Sequence, residues 1–182
     1  MLVWSRLAKR KTMSKNAFLK SKMTANIILF GGKNSGKTTV LKILYLLLGG
    51  KNPKDLTKAP NINRCAITTK GGYTIGFAWG GDSLEIVEDN VEFFTLHSCD
   101  IAFSPTHVGG VTVLPMDYFI DKNISSVENI IWKRIHNFGF LNKYEFKNDD
   151  ELLNVAIWER EFPESYAMAQ KLKGLLDSGF FD

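Results

Sequence analysis

Cysteine is scarce in this chain. Cys65 and Cys99 are the only two, far apart in sequence, so a disulfide framework and a clustered metal-ligand spacing are both excluded. Free thiols in a reducing compartment are expected instead. Internal repeats and low-complexity tracts are missing too. No uninterrupted apolar run is long enough to span a bilayer as a helix, so a soluble, cytoplasmic protein without a transmembrane segment is expected. Acidic residues are absent from positions 1–23, whereas Arg6, Lys9, Arg10, Lys11, Lys15, Lys20 and Lys22 give that stretch a charge of +7. Set against a total of +4, this leaves the remainder of the chain at −3. Beyond position 23 arginine is thin, with only Arg64, Arg134 and Arg160.

What is present fits one domain. The 182 residues are 45% hydrophobic, enough for a sizeable core. The expected division is a basic leader over 1–23 and a single domain over 24–182. Three readings of the leader stay open. It lies upstream of the true start, with Met23-Thr24-Ala25-Asn26 opening directly into the first strand. Alternatively it is a basic arm for nucleic acid or an anionic surface, or an organellar import segment. Elsewhere the chain shows no basic stripe with interleaved aromatics, so a nucleic-acid face is expected only if the leader is native.

The most informative segment is Gly31-Gly32-Lys33-Asn34-Ser35-Gly36-Lys37-Thr38, a G-x-x-x-x-G-K-[ST] pattern. Before it, Asn26-Ile27-Ile28-Leu29-Phe30 reads as a buried parallel strand. After it, Thr39 to Leu48 reads as a helix stopped by Gly49-Gly50. Strand, glycine loop and helix together are the context in which such a loop binds phosphate. Gly31 and Gly36 allow the backbone to bend and approach closely. Loop N–H groups and the helix N-terminus offer partial positive charge to an anion. In this reading Gly31 through Thr39 cradle the phosphates, Lys37 reaches the β- and γ-phosphates as a catalytic cation, and the Thr38 hydroxyl ligates Mg²⁺.

Further on, Lys51–Asn61 is a polar loop with two prolines. Strands over 62–69 and 73–79, joined by Lys70-Gly71-Gly72, form a hairpin whose turn needs the positive φ that glycine supplies. The second of these is expected to lie beside the strand of the glycine loop. Leu84, Val87, Val91 and Phe94 recur at helical spacing. Asp82 with Glu85 makes a capping box for that helix. Asp82 is also the candidate second Mg²⁺ ligand and a candidate catalytic residue, and Glu85 a weaker one for orienting water. Plain N-capping by Asp82 is the competing reading. Cys99–Phe103 reads as a further buried strand closing at Ser104-Pro105-Thr106-His107. Ser104 and Thr106 are candidate crevice hydroxyls, and His107 a weak candidate base. Val111–Asn123 reads equally as helix or extended chain. A strand around Asn129–Ile135 is favoured over a helix because an α/β sheet needs it. Asp149–Leu176 is helical, broken at Pro163.

Gly31–Thr38 resembles the Walker A motif of the P-loop NTPase superfamily, a likeness that extends from Asn26 to about Phe103. It implies a three-layer αβα sandwich with a mainly parallel sheet, Mg²⁺ as cofactor and ATP or GTP as ligand. The hairpin leading into a glycine turn and then a helix is similar to the organisation of small GTPases. Their Asp-x-x-Gly turn, however, is replaced by Ala78-Trp79-Gly80-Gly81, and their Asn-Lys-x-Asp by Asn142-Lys143-Tyr144-Glu145. Guanine specificity is therefore not implied. Three functions follow: a nucleoside-triphosphate hydrolase acting as a switch or regulatory subunit with a protein partner or second protomer, a small-molecule or nucleotide kinase, and a non-hydrolytic regulatory module. Arginine poverty favours the first, because kinases clamp the transferring group with several arginines and an NTPase can borrow one from a partner.

Overall fold

A computed structural model describes residues 25–56, 65–81, 83–107, 129–135 and 144–178. Among these residues five strands form one sheet: β1 (Ala25–Gly31), β2 (Cys65–Lys70), β3 (Tyr73–Ala78), β4 (Ile101–His107) and β5 (Asn129–Arg134), in the order β2-β3-β4-β1-β5. All neighbours are parallel except β2 and β3, which pair as an antiparallel hairpin. Among the described residues six helices accompany them: α1 (Lys37–Leu47), α2 (Pro53–Leu56), α3 (Leu84–Leu96), α4 (Asp149–Leu153), α5 (Val155–Glu161) and α6 (Pro163–Asp177). The fold is thus mixed α/β with a mostly parallel sheet. Among the described residues no helix is long and apolar enough to cross a membrane.

β1 has a parallel partner on each side and is buried along most of its length, which explains its unbroken apolar run. Strand side chains alternate between faces, and the two faces carry different cores. On one, Ile27, Leu29, Ile75, Phe77, Ile101 and Phe103 pack with Val40, Leu41 and Leu44 of α1 and with Trp158, Ala169 and Leu172 of the C-terminal helices. Phe77 stacks on Phe103 at 5.2 Å and on Trp79 at 5.8 Å. Burying each phenyl ring stabilises the fold by about 2–3 kcal/mol. On the other face α3 lies close to the sheet: Phe94 packs with Ala78, Cys99 and Ala102. Gly76 sits beneath it because a Cβ there would be 2.6 Å from the Phe94 ring and 2.7 Å from Cys99 Sγ. Burial pushes the Cys99 thiol up to about 12, so it is neutral at ordinary pH.

The hairpin turn uses Gly71 and Gly72, with φ of 60° and 88°, as the Gly-Gly pair requires. Its strands occupy 65–70 and 73–78; positions 62–64 of the expected first strand lie outside the described residues. Two expectations are corrected. β3 does not lie beside β1, because β4 is inserted between them. And β4 does not close at Ser104 but continues to His107. In its ladder with β1, the even-numbered residues of β4 turn their N–H and C=O groups towards β1. Those of Pro105 therefore face the β3 side, where pairing has already ended at Phe103. The missing proline N–H interrupts no ladder there.

Helix ends follow local chemistry. Ser83 caps α3 by accepting from the Ile86 N–H at 3.3 Å. Asn148 and Asn154 do the same for α4 and α5, and Pro163 opens α6. The capping box expected from Asp82 is replaced by this Ser83 cap; Asp82 itself lies outside the described residues. α1 ends at Leu47, followed by Gly49 with φ 91° and by Gly50, where any side chain would overlap the Tyr45 ring. Beyond that turn, Asp55 of α2 accepts from the Tyr45 hydroxyl at 2.7 Å and from Asn52 Nδ2 at 2.9 Å. Lys42 donates to the Leu56 carbonyl. Burial, then the bond to Asp55, raises the Tyr45 phenol to about 12. This buried polar group fixes α2 against the outer half of α1.

Candidate functional site

The glycine loop connects the carboxyl end of β1, an interior strand of the sheet, to the start of α1. Gly31 is required by crowding: a Cβ would lie 2.6 Å from the Ile135 carbonyl oxygen and 2.7 Å from Ser35 Oγ. Ile135 follows β5 directly and donates its N–H to the Phe30 carbonyl at 2.7 Å. Asn34 and Gly36 then take left-handed conformations, with φ of 62° and 94°. The Ser35 N–H closes a turn onto the Gly32 carbonyl at 3.2 Å. Gly36 is the N-cap of α1, and no side chain caps this helix. The N–H groups of its first turn keep their capacity for an anion.

Lys37 is only 7% exposed. Its ammonium donates to the Gly31 carbonyl at 3.0 Å, the Gly32 carbonyl at 2.8 Å and Ser35 Oγ at 3.3 Å. A full positive charge is thus held inside the loop, where low polarisability strengthens its field. Ser35 is buried beneath it, while Gly32, Lys33 and Asn34 are exposed and Gly36, Thr38 and Thr39 half-buried. All nine residues expected to cradle phosphate therefore fall on one continuous loop and helix start.

Thr38 has a partner that the sequence did not suggest. Its hydroxyl donates to the Trp79 carbonyl at 2.9 Å. Although β3 is one strand removed from β1, the chain leaving it bends back across the end of β4 to reach α1. Gly81 permits this, since a Cβ there would overlap the Pro105 carbonyl oxygen. Trp79 is packed between Phe77 and Tyr45 and is 9% exposed. Its indole Nε1 is a buried polar atom without a hydrogen-bond partner among the described residues, so the side chain serves packing while the carbonyl serves the site.

The remaining candidates fall in several places. Ser104 and Thr106 are 1% and 0% exposed, so neither lines an open crevice. Ser104 Oγ instead meets Asn26 Oδ1 at 3.4 Å within the sheet. The backbone of His107 registers with Gly31. Glu85 is exposed on the first turn of α3. Tyr144 donates to Glu151 at 3.0 Å; desolvation, then this bond, raises the phenol, and the Lys147 N–H, then the same bond, lowers the carboxyl. Asn142, Lys143 and Arg64 lie outside the described residues. Arg134 is exposed at the end of β5, and Arg160 pairs with Glu161 at 2.7 Å. Among the described residues no cluster of three or more His, Cys, Asp or Glu side chains is arranged to hold a metal.

Comparison with known protein families, with characterised proteins and with solved structures yields no match to this chain.

Proposed function

We propose that Gly31–Thr38 binds a nucleoside triphosphate together with Mg²⁺, and that the chain is a small P-loop NTPase that hydrolyses it and acts as a switch or regulatory subunit. ATP is the first expectation for the base, with GTP as the alternative. The observation that carries this reading is the Lys37 ammonium, held by loop oxygens at the uncapped start of α1 and directly beyond the interior strand β1. A phosphate chain arriving there meets a buried cation and a helix N-terminus at once.

The donor set suits Mg²⁺. Thr38 spends its hydroxyl proton on the Trp79 carbonyl, which leaves its oxygen lone pairs for a hard cation that prefers oxygen. Mg²⁺ typically takes its remaining oxygens from phosphate, water and one or two carboxylates; Asp82 is the proposed carboxylate. When bound, the ion would neutralise charge developing on the phosphates. This chain's own residues orient: the loop N–H groups and Lys37 hold the phosphates in line, and Trp79 fixes the Thr38 hydroxyl. The described arginines, Arg134 and Arg160, are exposed, which fits a hydrolase that receives an arginine from a partner or second protomer better than a kinase with its own clamp.

The test is a Mg²⁺-dependent phosphate-release assay with four nucleoside triphosphates, with and without a pool of hydroxyl and nucleoside-monophosphate acceptors. Release without an acceptor is expected. Transfer only with an acceptor would make the chain a kinase, and neither outcome alongside measurable binding would make it a non-hydrolytic module.

A further inference from the structure

Asn90 is 1% exposed on α3, and a primary amide so deeply buried must find partners for its donors and acceptor. Its Nδ2 donates to the Gly80 carbonyl at 2.8 Å, and its Oδ1 accepts from the Cys65 thiol at 3.5 Å. Gly80 directly follows Trp79, whose carbonyl accepts from Thr38, and precedes Gly81, which is wedged against Pro105. Three consecutive residues are therefore each held by a different element: Trp79 by α1, Gly80 by α3 and Gly81 by β4. The Trp79 carbonyl serves α1 and the Gly80 carbonyl serves α3, two helices that pack on opposite faces of the sheet.

Resting on the nucleotide-binding reading above, we propose that Asn90 is a positioning residue for the Mg²⁺ ligand Thr38, and that it couples metal binding at the glycine loop to helix α3. The physical reason is the pair of glycines. Gly80 and Gly81 have no Cβ to limit their backbone, so without external anchors the Trp79 carbonyl would wander and the Thr38 hydroxyl would lose its fixed orientation. The Asn90 amide supplies the anchor. Coupling between two sites is reciprocal, so Mg²⁺ taken up by Thr38 tightens the turn and, through Asn90, the helix behind it.

The experiment measures ATP affinity by calorimetry in Mg²⁺ and in excess chelator, for the wild type, Asn90→Ala, Thr38→Ala and the double variant. The expected result is that Asn90→Ala cuts the Mg²⁺-dependent enhancement about tenfold, while affinity in chelator stays within about twofold. In the Thr38→Ala background the same substitution changes the enhancement no further. An Asn90→Ala protein with the wild-type enhancement, or with equal losses in both conditions, overturns the proposal and leaves the nucleotide reading intact. A wild type that binds no nucleotide overturns both. Amide hydrogen exchange on the unmodified protein gives an independent measure that does not depend on a variant folding. Slower exchange at Gly80, Gly81 and the Asn90 turn of α3 is expected with Mg²⁺–ATP and not with ATP in chelator; equal exchange in the two states contradicts the coupling.

Discussion

β1 passes its chain to α1 through Gly31–Gly36, and β3 passes its chain to α3 through a turn that begins Trp79-Gly80-Gly81. The outlines are alike, with a parallel strand, a glycine turn and a helix, but the helix starts differ. α3 begins with Ser83 in an extended conformation whose side chain accepts the Ile86 N–H. α1 has left-handed Gly36 as its N-cap and no side-chain cap, and its first residue, the buried Lys37, reaches back to the carbonyls of the preceding loop. One helix start is capped by its own sequence, and the other has no side-chain cap and is the one proposed to receive phosphate. The glycines divide in the same way. Gly81 is needed for packing against Pro105, whereas a Cβ on Gly32 would meet nothing within 4 Å. The two turns are joined by the Thr38–Trp79 hydrogen bond, so the closed one holds the open one in shape.

The largest effect that would break this comparison is expected from Gly81→Ala. The new methyl group overlaps a backbone carbonyl that cannot rotate away, so the turn and β4 must separate. Urea unfolding should show a loss of about 3 kcal/mol, the upper end of overpacking costs. A stability within experimental error of wild type would mean that the turn does not rest on Pro105. A smaller effect is expected from Ser83→Ala, which removes the cap that closes α3. It should cost about 1 kcal/mol in the same measurement and leave ATP affinity unchanged. A fall in affinity instead would move Ser83 into the site and erase the distinction between the two helix starts.

Parts of this architecture were legible in the sequence because the responsible signals are local. The run Asn26–Phe30, the glycine loop and the stop at Gly49-Gly50 specify β1 and α1 almost to their observed ends. Gly71-Gly72 specifies the hairpin in the same way, and Pro163 the break before α6. Strand order was not legible. Alternating or continuous apolar patterns say that a strand is buried, not which neighbour buries it, and so β3 was expected where β4 lies. The same gap hid the continuation of β4 through Pro105, which depends on β3 ending at the right register. Ser104 and Thr106 were expected in a crevice because strand ends face it, but the strand runs further and takes both hydroxyls into the interior. At the candidate site, the strand, glycine loop and helix start were legible from residue type and spacing. The Trp79 carbonyl was not, since a backbone acceptor leaves no mark on residue identity, and Asn90 was hidden because its partner is likewise a carbonyl.

Calorimetric titration of the wild type and of Lys37→Ala with Mg²⁺–ATP and Mg²⁺–GTP tests the central claim most directly. The lysine side chain lies against the loop and not in the apolar core beneath α1, so the variant should stay folded. Loss of its charge-assisted bonds to phosphate should weaken binding of at least one triphosphate about a hundredfold, ~3 kcal/mol. Equal affinity of the two proteins for both nucleotides, or no binding by the folded wild type, would contradict the assignment of Gly31–Thr38 as a triphosphate site.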